Sequence, residues 1–163
     1  MTRIAIIGNS GSGKSTLARE LLPGQADNIL DLDTIAWQKN APTQRRPVSH
    51  AAEDVRTFCH ARSAWVVEGC YAELISAALV FGPELIFLDP GVQVCLANCK
   101  RRPWEPHKYP SKSAQDQHLE FSLEWVKAYY TREGDLSFSA HAQLYEQYPG
   151  PKRIQTKTHP PPE

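Results

Sequence analysis

The sequence predicts an α/β fold in which helices cover both faces of a parallel β-sheet. Short apolar runs alternate along the chain with longer segments of helical spacing, and the connections between them are short. Parallel strands need helical crossovers of this kind, which are right-handed and bury both faces of the sheet. A chain of 163 residues can bury one substantial core and is short for two. We therefore expect a single domain over residues 1–163.

The pattern of each segment indicates its place in that fold. Strand-like runs lie at residues 3–7, 28–32, 65–67, 85–88 and 153–155. The last of these is expected at an edge of the sheet. Helical patterns lie at residues 15–22, 51–61, 73–81, 92–101 and 140–146. Ser113 and Asp116 have the spacing of a capping box, which predicts one more helix from Ser113 to about Gly134. One face of that helix carries Leu119, Leu123, Val126 and Tyr130. Residues 158–163, rich in proline, predict a flexible tail.

Composition excludes several function classes. Lys plus Arg and Asp plus Glu both total 18, so no global positive field is available for nucleic acid, which makes it an unlikely partner. The four cysteines show no C-x-x-C spacing and are expected to be buried apolar residues rather than metal ligands. The sequence shows neither a long apolar run nor a signal-peptide pattern, which predicts a cytoplasmic protein without a membrane partner. Monomer and homodimer stay equally open.

The most specific motif is G-x-x-x-x-G-K-[ST] at residues 8–15, between the first strand and the first helix. Glycines let successive backbone N–H groups and the helix N-terminus face an anion, so this phosphate loop predicts nucleotide binding. Lys14 is expected to reach the β- and γ-phosphates, and the Ser15 hydroxyl to bind Mg²⁺. A Gly/Ser-rich turn without a ligand is the alternative. We expect contacts to the nucleotide from Gly8, Asn9, Ser10, Gly11, Ser12, Gly13, Lys14, Ser15 and Thr16.

Motifs that are missing narrow the kind of nucleotide-binding protein. The guanine motif Asn-Lys-x-Asp is absent, no Asp-x-x-Gly stands where a GTPase switch would need it, and the length leaves no room for helicase or transporter additions. Size and layout favour a small kinase that uses ATP and Mg²⁺ and phosphorylates a small-molecule acceptor. The alternative is a regulatory NTPase whose ATP occupancy controls a protein or nucleic-acid partner.

Acidic residues that follow predicted strands are candidates for the chemistry, because ligands of α/β sheets bind at the carboxyl ends of the strands. Asp33 is expected to orient the acceptor or accept its proton, or else to cap a helix that begins at Thr34. For Asp31 we favour a role at Mg²⁺-bound water or in the structure. Asp89 ends the fourth strand, where a Walker B acid would hold Mg²⁺, and a capping role through Gly91 competes equally.

Four further residues are candidates for the acceptor site. Gly69 ends the third strand and is expected to let a substrate approach the backbone. Trp37 and Tyr71 are expected to stack on a base or ring, with ordinary packing as the stronger alternative. Arg56 is a candidate for binding an acceptor anion, against the default of a solvated surface position.

A basic segment predicts a mobile lid over about residues 103–134. Lys100, Arg101 and Arg102 precede proline-broken residues 103–112, and Arg132 follows the next helix. Guanidinium groups stabilise the charge that develops on a transferred phosphoryl group, and a closing lid excludes water. The alternative is that these cations complement helix dipoles. We favour the lid, with Arg101 or Arg102 ahead of Arg132.

Residues 4–18 resemble the opening of the adenylate-kinase-related P-loop kinases called DNA topology modulation proteins, and residues 32–37, 65–71 and 86–89 resemble their next blocks. The resemblance implies a three-layer P-loop NTPase fold, a five-stranded parallel sheet in the order 2-3-1-4-5, an ATP site and an arginine-bearing helical lid. Asp31-Leu32-Asp33 is similar to the Asp-x-Asp of shikimate kinases, whose second acid contacts the acceptor hydroxyl. Glu68-Gly69-Cys70-Tyr71 departs from the Asp-Gly-Asn-Tyr that members often have. The acceptor is therefore left open, with a nucleoside or nucleotide as one candidate.

Overall fold

The computed structural model describes residues 1–41 and 43–158. Within them the strands are β1 Arg3–Gly8, β2 Ile29–Asp31, β3 Trp65–Gly69, β4 Glu84–Leu88 and β5 Lys152–Gln155. The α-helices are α1 Lys14–Leu21, α2 Asp33–Ala36, α3 Val48–His60, α4 Ala72–Leu79, α5 Val92–Arg101, α6 Lys112–Lys127 and α7 Phe138–Gln147. Short 3₁₀ turns span Ala26–Asn28 and Ala128–Tyr130.

The five strands form one sheet in the order β2-β3-β1-β4-β5, and every neighbouring pair is parallel. This order confirms the expectation from the resemblance. In the register, Ile6 of central β1 lies between Glu68 of β3 and Ile86 of β4, and Asp31 of β2 pairs with Glu68. Because all strands run the same way, their carboxyl ends meet at one edge of the sheet. The phosphate loop and the two aspartates therefore converge there.

Successive side chains of β1 point to opposite faces of the sheet, so each face has its own part of the core. Ala5 and Ile7 pack into the larger cluster, with buried residues of α3 and α4 and part of α7. Ile4 and Ile6 pack on the other face against Ala18 and neighbouring residues of α1. Burial of both faces follows from a parallel sheet with helical crossovers. No helix in residues 1–41 and 43–158 combines the length and apolar character needed to cross a bilayer.

A third, smaller cluster joins α5 to α6. It contains Cys95, Cys99 and Val126, with Leu123 packed against it. The cysteines are buried free thiols, as the apolar interpretation predicted. No cluster of metal-ligating side chains that includes them is found in the described part of the chain. The helix of the predicted lid, α6, therefore packs against α5.

The start of α6 corrects the sequence prediction. The N-cap is Ser111, whose hydroxyl accepts a hydrogen bond from the Ala114 N–H at 3.0 Å, so the capping box at Ser113 is wrong. Asp116 instead pairs with Lys112 at 2.8 Å across one turn of the helix. Ser111 has the extended backbone that a cap requires, whereas Ser113 already lies inside the helix. The α-helix ends at Lys127, and a 3₁₀ turn replaces its predicted continuation.

The lid segment, defined as residues 103–110, is a compact non-helical turn. The Trp104 indole N–H donates to the Tyr109 carbonyl at 3.0 Å. The Lys108 and Tyr109 N–H groups both donate to the Glu105 carbonyl at 3.0 Å. Gln115 of α6 accepts from the Glu105 N–H at 2.8 Å. These bonds fix the segment's shape and attach it to α6. Of the predicted tail, Thr158 lies near Gly13, and residues 159–163 fall outside the described residues.

Candidate functional site

The phosphate loop has the backbone that anion binding requires. Gly11 and Gly13 have φ angles of 80° and 96°, in the left-handed region that favours glycine. Gly13 is the N-cap of α1, and within the described chain no side chain caps this helix. The first N–H groups of α1, from Lys14 through Thr16, are therefore available for an anion, which the helix dipole also favours.

Helices α5 and α6 both contact the phosphate loop and support its conformation. The Asn98 side-chain amide of α5 donates to the Gly11 carbonyl at 2.9 Å. The Asn9 amide donates to the Val126 carbonyl of α6 at 3.3 Å, and its own oxygen is buried without a partner within the described residues. A Cβ at Gly11 would lie 2.4 Å from the Cys95 carbonyl, so α5 packs directly on the loop. The loop's shape therefore depends on α5 and α6 as well as on its own glycines.

Lys14 and Ser15 open α1 and point toward the strand ends. The Lys14 ammonium donates to the Asn9 carbonyl at 2.7 Å, which curls this side chain over the loop. The Ser15 hydroxyl donates to Glu68 Oε2 at 3.0 Å. Burial raises the pKa of Glu68 to about 8, and the charge of Asp31 adds to the effect. Glu68 consequently favours its protonated form at neutral pH unless a cation binds beside it, and the phosphate loop faces a buried acid at the end of β3.

The oxygen donors beside the loop fit Mg²⁺. A serine hydroxyl next to a carboxyl group is the hard oxygen set that this ion prefers. Within the described residues no three acidic, histidine or cysteine side chains form a ready-made metal cage. Mg²⁺ is usually held by one or two protein oxygens together with nucleotide phosphates and water, so Ser15 with Glu68 beside it suits a shared site.

Asp31 and Asp33 meet Glu68 at the same edge of the sheet. The Asp33 N–H donates to Asp31 Oδ1 at 2.9 Å, which closes the turn between β2 and α2. Asp33 is the first residue of α2, whose N-cap is Leu32, so the alternative that Asp33 caps this helix is wrong. The Asp33 carboxylate therefore caps no helix and makes its contacts at the strand edge instead.

Tyr71 and Trp37 fix the orientation of Asp33. The Tyr71 hydroxyl donates to Asp33 Oδ1 at 2.5 Å and accepts from the Trp37 indole N–H at 2.9 Å. The Arg45 guanidinium carbon lies 4.7 Å from the centre of the Tyr71 ring and covers one of its faces. Tyr71 is buried as well. The arrangement makes these two aromatic residues supports for Asp33, which differs from the predicted stacking on a substrate ring.

Lys108 is the residue that the sequence reasoning missed. Its ammonium lies 2.8 Å from Asp33 Oδ2, 3.2 Å from Glu105 Oε2 and 3.6 Å from Asp31 Oδ2. Burial alone would lower the pKa of Lys108, but the three carboxylates raise it above its usual value. Burial alone would raise the pKa of Asp33. The charge of Lys108 outweighs this effect and holds the pKa of Asp33 below its usual value. The sequence showed a basic segment but no sign of which cation faces the strand ends.

Comparisons with known proteins bear on the fold. No family model matches the chain, and no curated protein matches it. Among solved structures, an unliganded sugar kinase from Janibacter sp. HTCC2649 aligns with a TM-score of 0.53 and 16% identity over 98% of this chain and 88% of its own. The chain has the α/β P-loop NTPase fold. A shikimate kinase from Acinetobacter baumannii in complex with shikimate (TM-score 0.43, 18% identity, 90% of this chain and 92% of its own) is more distant. A gluconokinase from Sinorhizobium meliloti 1021 is equally distant, with a TM-score of 0.43 and 17% identity over 90% of this chain and 93% of its own.

The sugar kinase shares the fold that the sequence resemblance implies. At this level of identity the likeness concerns the fold alone. The finer resemblance to the DNA topology modulation group stays a prediction. So do the roles of individual residues.

Asp89, which follows β4, contacts the turn after α6 rather than a helix N-terminus. The Tyr130 hydroxyl donates to Asp89 Oδ1 at 2.6 Å. Gly91 is the N-cap of α5, and no side chain caps that helix within the described residues, so the capping alternative for Asp89 is wrong. Its role at Mg²⁺ stays a prediction, and its present partner ties the end of β4 to the turn after α6.

The predicted lid arginines differ in their surroundings. Arg101 donates to Asn98 Oδ1 at 3.2 Å, which connects it through Asn98 to the P-loop. Arg102 Nε lies 3.5 Å from Glu105 Oε1 in the lid segment. Arg132 makes its polar contacts elsewhere: it donates to the Trp125 and Leu136 carbonyls and lies over the Trp125 ring. Arg132 therefore fastens the end of the lid helix and is not brought to the strand edge.

Two other residues predicted for the acceptor site, Gly69 and Arg56, contact only neighbouring protein groups. A Cβ at Gly69 would lie 2.8 Å from the Leu32 side chain, so this glycine makes room for Leu32 rather than for a substrate. Arg56 lies on α3 and pairs with Glu53 at 2.8 Å, with both side chains largely exposed. The contacts of both residues are those of packing and surface positions.

Proposed function

We propose that this protein is an ATP-dependent kinase that transfers the γ-phosphoryl group to a hydroxyl or phosphate group of a small metabolite, a class that includes nucleosides and nucleotides. The observation that carries the proposal is the position of the Asp33 carboxylate. Tyr71 holds it at the strand edge, and it lies close enough to the P-loop for the charge of Lys14 to help lower its pKa. An acid in this position serves a second substrate. A regulatory NTPase has no second substrate for such an acid to orient.

On the donor side, the chain's own groups bind and orient the triphosphate. The N–H groups of the loop and of the first turn of α1 face the phosphates. Lys14 moves from the Asn9 carbonyl, 2.7 Å away, to the β- and γ-phosphate oxygens. Ser15 would hold Mg²⁺ with Glu68 beside it, and Asp89 is the further candidate. The bound ion would neutralise charge on the phosphate oxygens.

On the acceptor side, Asp33 orients the attacking group. Tyr71 holds Oδ1, so Oδ2 is the oxygen that an acceptor hydroxyl approaches. Phosphoryl transfer has a loose transition state, in which positioning matters more than strong basicity. A carboxylate that stays ionised at neutral pH suits this task, since it accepts the acceptor's hydrogen bond and then its proton.

The lid supplies the remaining positive charge. Arg101 and Arg102 end α5 close to the P-loop, and Arg101 is held by Asn98. Guanidinium groups in this place would stabilise the charge on the equatorial oxygens of the transferred phosphoryl group. Arg132 is omitted from this machinery because its guanidinium group donates to the Trp125 and Leu136 carbonyls, away from the strand edge.

A screen of acceptors tests the proposal. Thermal unfolding is measured with a metabolite panel in the presence of Mg²⁺ and a non-hydrolysable ATP analogue, because a ligand of the folded state stabilises it by mass action. Compounds that raise the melting temperature are then assayed for ADP formation from ATP. We expect at least one to give a phosphorylated product. Slow ATP hydrolysis that no small molecule accelerates would favour the regulatory NTPase and contradict the kinase.

A further inference from the structure

Arg45 lies on the acceptor side with unused hydrogen-bond donors. Its backbone forms an antiparallel bridge with Trp37, which holds it beside the end of α2. Its guanidinium carbon lies 4.7 Å from the centre of the Tyr71 ring and 5.8 Å from the centre of the Trp37 ring. Within the described residues its side chain makes no hydrogen bond and no ion pair, although its Nε is buried. A guanidinium group carries five N–H donors, so Arg45 retains the capacity to bind an oxyanion.

Stacking on a ring does not by itself account for these unused donors. Arg62 and Arg132 also stack on aromatic rings. In both, the edge of the guanidinium group donates to backbone carbonyls. Arg45 stacks on Tyr71 in the same way, but its edge has no such acceptor in the part of the chain that the structure describes. The missing acceptor is the observation that points to a ligand.

The carboxylate whose charge Arg45 influences does not neutralise it. Asp135 lies at the N-terminus of α4, where its Oδ1 accepts a hydrogen bond from the Glu73 N–H at 2.7 Å. The charge of Arg45 is among the causes that lower the pKa of Asp135, but burial outweighs it and leaves that pKa above its usual value. Arginine stays protonated in proteins, so Arg45 keeps a positive charge that a bound oxyanion would neutralise.

Tyr71 stands between Arg45 and the acid that would meet the acceptor hydroxyl. The Tyr71 hydroxyl donates to Asp33 Oδ1 at 2.5 Å, and the Arg45 guanidinium group covers one face of the same ring. The ring separates the cation from the carboxylate, so the two do not form a pair. An acceptor whose hydroxyl meets Asp33 would therefore have Arg45 near its other end.

We propose that Arg45 binds an oxyanion of the acceptor, so that the kinase phosphorylates a metabolite that already carries a carboxylate or phosphate group. This role rests on the proposed kinase function and names the substrate class of its acceptor site. The planar N–H pairs of a guanidinium group match two oxygens of a carboxylate or phosphate and bind them together. A neutral sugar or nucleoside has no group that satisfies these donors equally well.

The two ends of the acceptor side thus recognise different groups. Asp33 accepts the hydrogen bond of the hydroxyl that is phosphorylated, and Arg45 binds the anion at the other end. A charge-assisted hydrogen bond is about twice as strong as a neutral one, so Arg45 contributes chiefly to affinity. Loss of Arg45 should therefore raise KM for the acceptor while kcat stays close to its wild-type value.

Compounds that share a carbon skeleton but differ in charge test this substrate class. The sets are glucose, gluconate and glucose 6-phosphate; glycerol, glycerate and glycerol 3-phosphate; and uridine with uridine 5′-monophosphate. Thermal unfolding is measured with Mg²⁺ and a saturating non-hydrolysable ATP analogue, which occupies the P-loop so that the probe anion cannot bind there. We expect a charged member of at least one set, and not its neutral counterpart, to raise the melting temperature. The carboxylate and phosphate members show which oxyanion fits.

Kinetics of variants assign the preference to Arg45. Arg45→Gln removes the charge, and Arg56→Gln is the matched control, since Arg56 pairs with Glu53 at an exposed position of α3. With the charged acceptor we expect Arg45→Gln to raise KM roughly 10–10²-fold, the effect of losing a hydrogen-bonded charge pair. Arg56→Gln should keep the wild-type KM. Arg45→Lys keeps the charge without the planar donors and should fall between Arg45→Gln and wild type.

The contrary outcomes are distinct. If Arg45 only supported Tyr71, Arg45→Gln would lower kcat for charged and neutral acceptors alike and keep their order of preference, which would overturn the inference. So would a wild-type KM in Arg45→Gln. A melting temperature near that of wild type excludes misfolding of this variant, and Arg45→Lys gives the comparison if it is lower.

The same panel separates failure of this role from failure of the proposed function. Transfer to neutral compounds only, or equally well to both members of a set, would overturn the role of Arg45 and leave the kinase function standing. Absence of both stabilisation and transfer with every compound would overturn the proposed function and, with it, the role of Arg45.

Discussion

The P-loop is one continuous stretch, residues 8–15, whereas the acceptor side is assembled from Asp33, Glu68, Tyr71 and Lys108, which lie far apart in the sequence. Backbone N–H groups dominate the first region, and side-chain contacts dominate the second. A backbone site tolerates changes in most of its side chains. A side-chain site depends on each member and on the segments that carry it. The difference predicts which substitutions harm ATP binding and which harm only transfer.

The largest effect on the donor side is expected from Lys14→Ala. This change removes the one P-loop side chain predicted to reach the β- and γ-phosphates. We expect kcat/KM for ATP to fall by roughly 10²–10³-fold, as for loss of a charged donor at a reacting group. The exposed pair of Lys127 with Glu124 provides a control, Lys127→Ala, which should keep wild-type kinetics. Unchanged kinetics in Lys14→Ala would contradict the assignment of the loop.

A smaller effect, confined to transfer, is expected from Tyr71→Phe. The change removes the hydroxyl that holds Asp33 Oδ1, so the carboxylate loses its fixed orientation. We expect kcat to fall about tenfold, with ATP affinity unchanged, because one oriented hydrogen bond to a charged group is lost. Tyr148→Phe removes a hydroxyl that donates to the Pro83 carbonyl, at the opposite edge of the sheet. Equal loss of kcat in both variants would indicate general destabilisation.

A still smaller effect is expected from Asn98→Ala. Asn98 supports the P-loop through Gly11 and holds Arg101, so it is a positioning residue. We expect ATP affinity to weaken about fivefold, which corresponds to one net hydrogen bond. Isothermal titration with an ATP analogue measures this. The comparison variant is Asn28→Ala, since Asn28 contacts only exposed Gln25 through its side chain within the described chain. If the two variants bind ATP equally well, α5 does not set the loop's shape.

The smallest effect acts on stability alone and comes from His141. Its ring connects the Tyr129 hydroxyl to the Cys70 carbonyl, both at 2.7 Å, and joins the end of the lid helix to the acceptor side. Burial lowers the pKa of His141 from 6.5 to about 4, so the unfolded chain binds the extra proton between these values. His141 by itself should therefore lower the free energy of unfolding by about 1 kcal/mol as the pH falls from 6.5 to 5.5, and because buried Glu68, with its raised pKa, acts in the opposite direction, the contribution is read as the difference between variants.

Urea denaturation at several pH values measures this dependence. His141→Asn should be less stable but should lack that contribution to the slope. His50→Asn, at an exposed position of α3, should keep the wild-type slope. A wild-type slope that persists in His141→Asn would assign the effect to other groups.

Much of the fold was predictable because its signals are local. Alternating apolar and helical runs placed the strands, and the P-loop motif placed the strand–loop–helix unit that anchors them. Errors arose where neighbouring residues offered the same chemistry. Ser111 and Ser113 both carry a capping hydroxyl, and the backbone conformation decided for Ser111.

The acceptor side was predictable only in part, for a physical reason. Asp33 was found because it follows a strand, whereas Glu68 was noted only within the block Glu68-Gly69-Cys70-Tyr71 and was not assigned to the site. The pairing of Lys108 with Asp33 depends on how the lid segment folds back over the sheet edge, and sequence spacing does not encode that. Gly69 was assigned to a substrate because its contact with Leu32 is likewise a product of tertiary packing.

The most direct test of the account measures ATP affinity and acceptor-dependent transfer together in Asp33→Asn. The central claim is that Asp33 serves the acceptor and not the donor. We predict that transfer falls by roughly 10²–10⁴-fold, as for loss of a general base, while the dissociation constant for ATP stays at its wild-type value. Asp116→Asn, at an exposed position of α6, should leave both quantities unchanged. Wild-type transfer in Asp33→Asn, or a parallel loss of ATP binding, would contradict the claim.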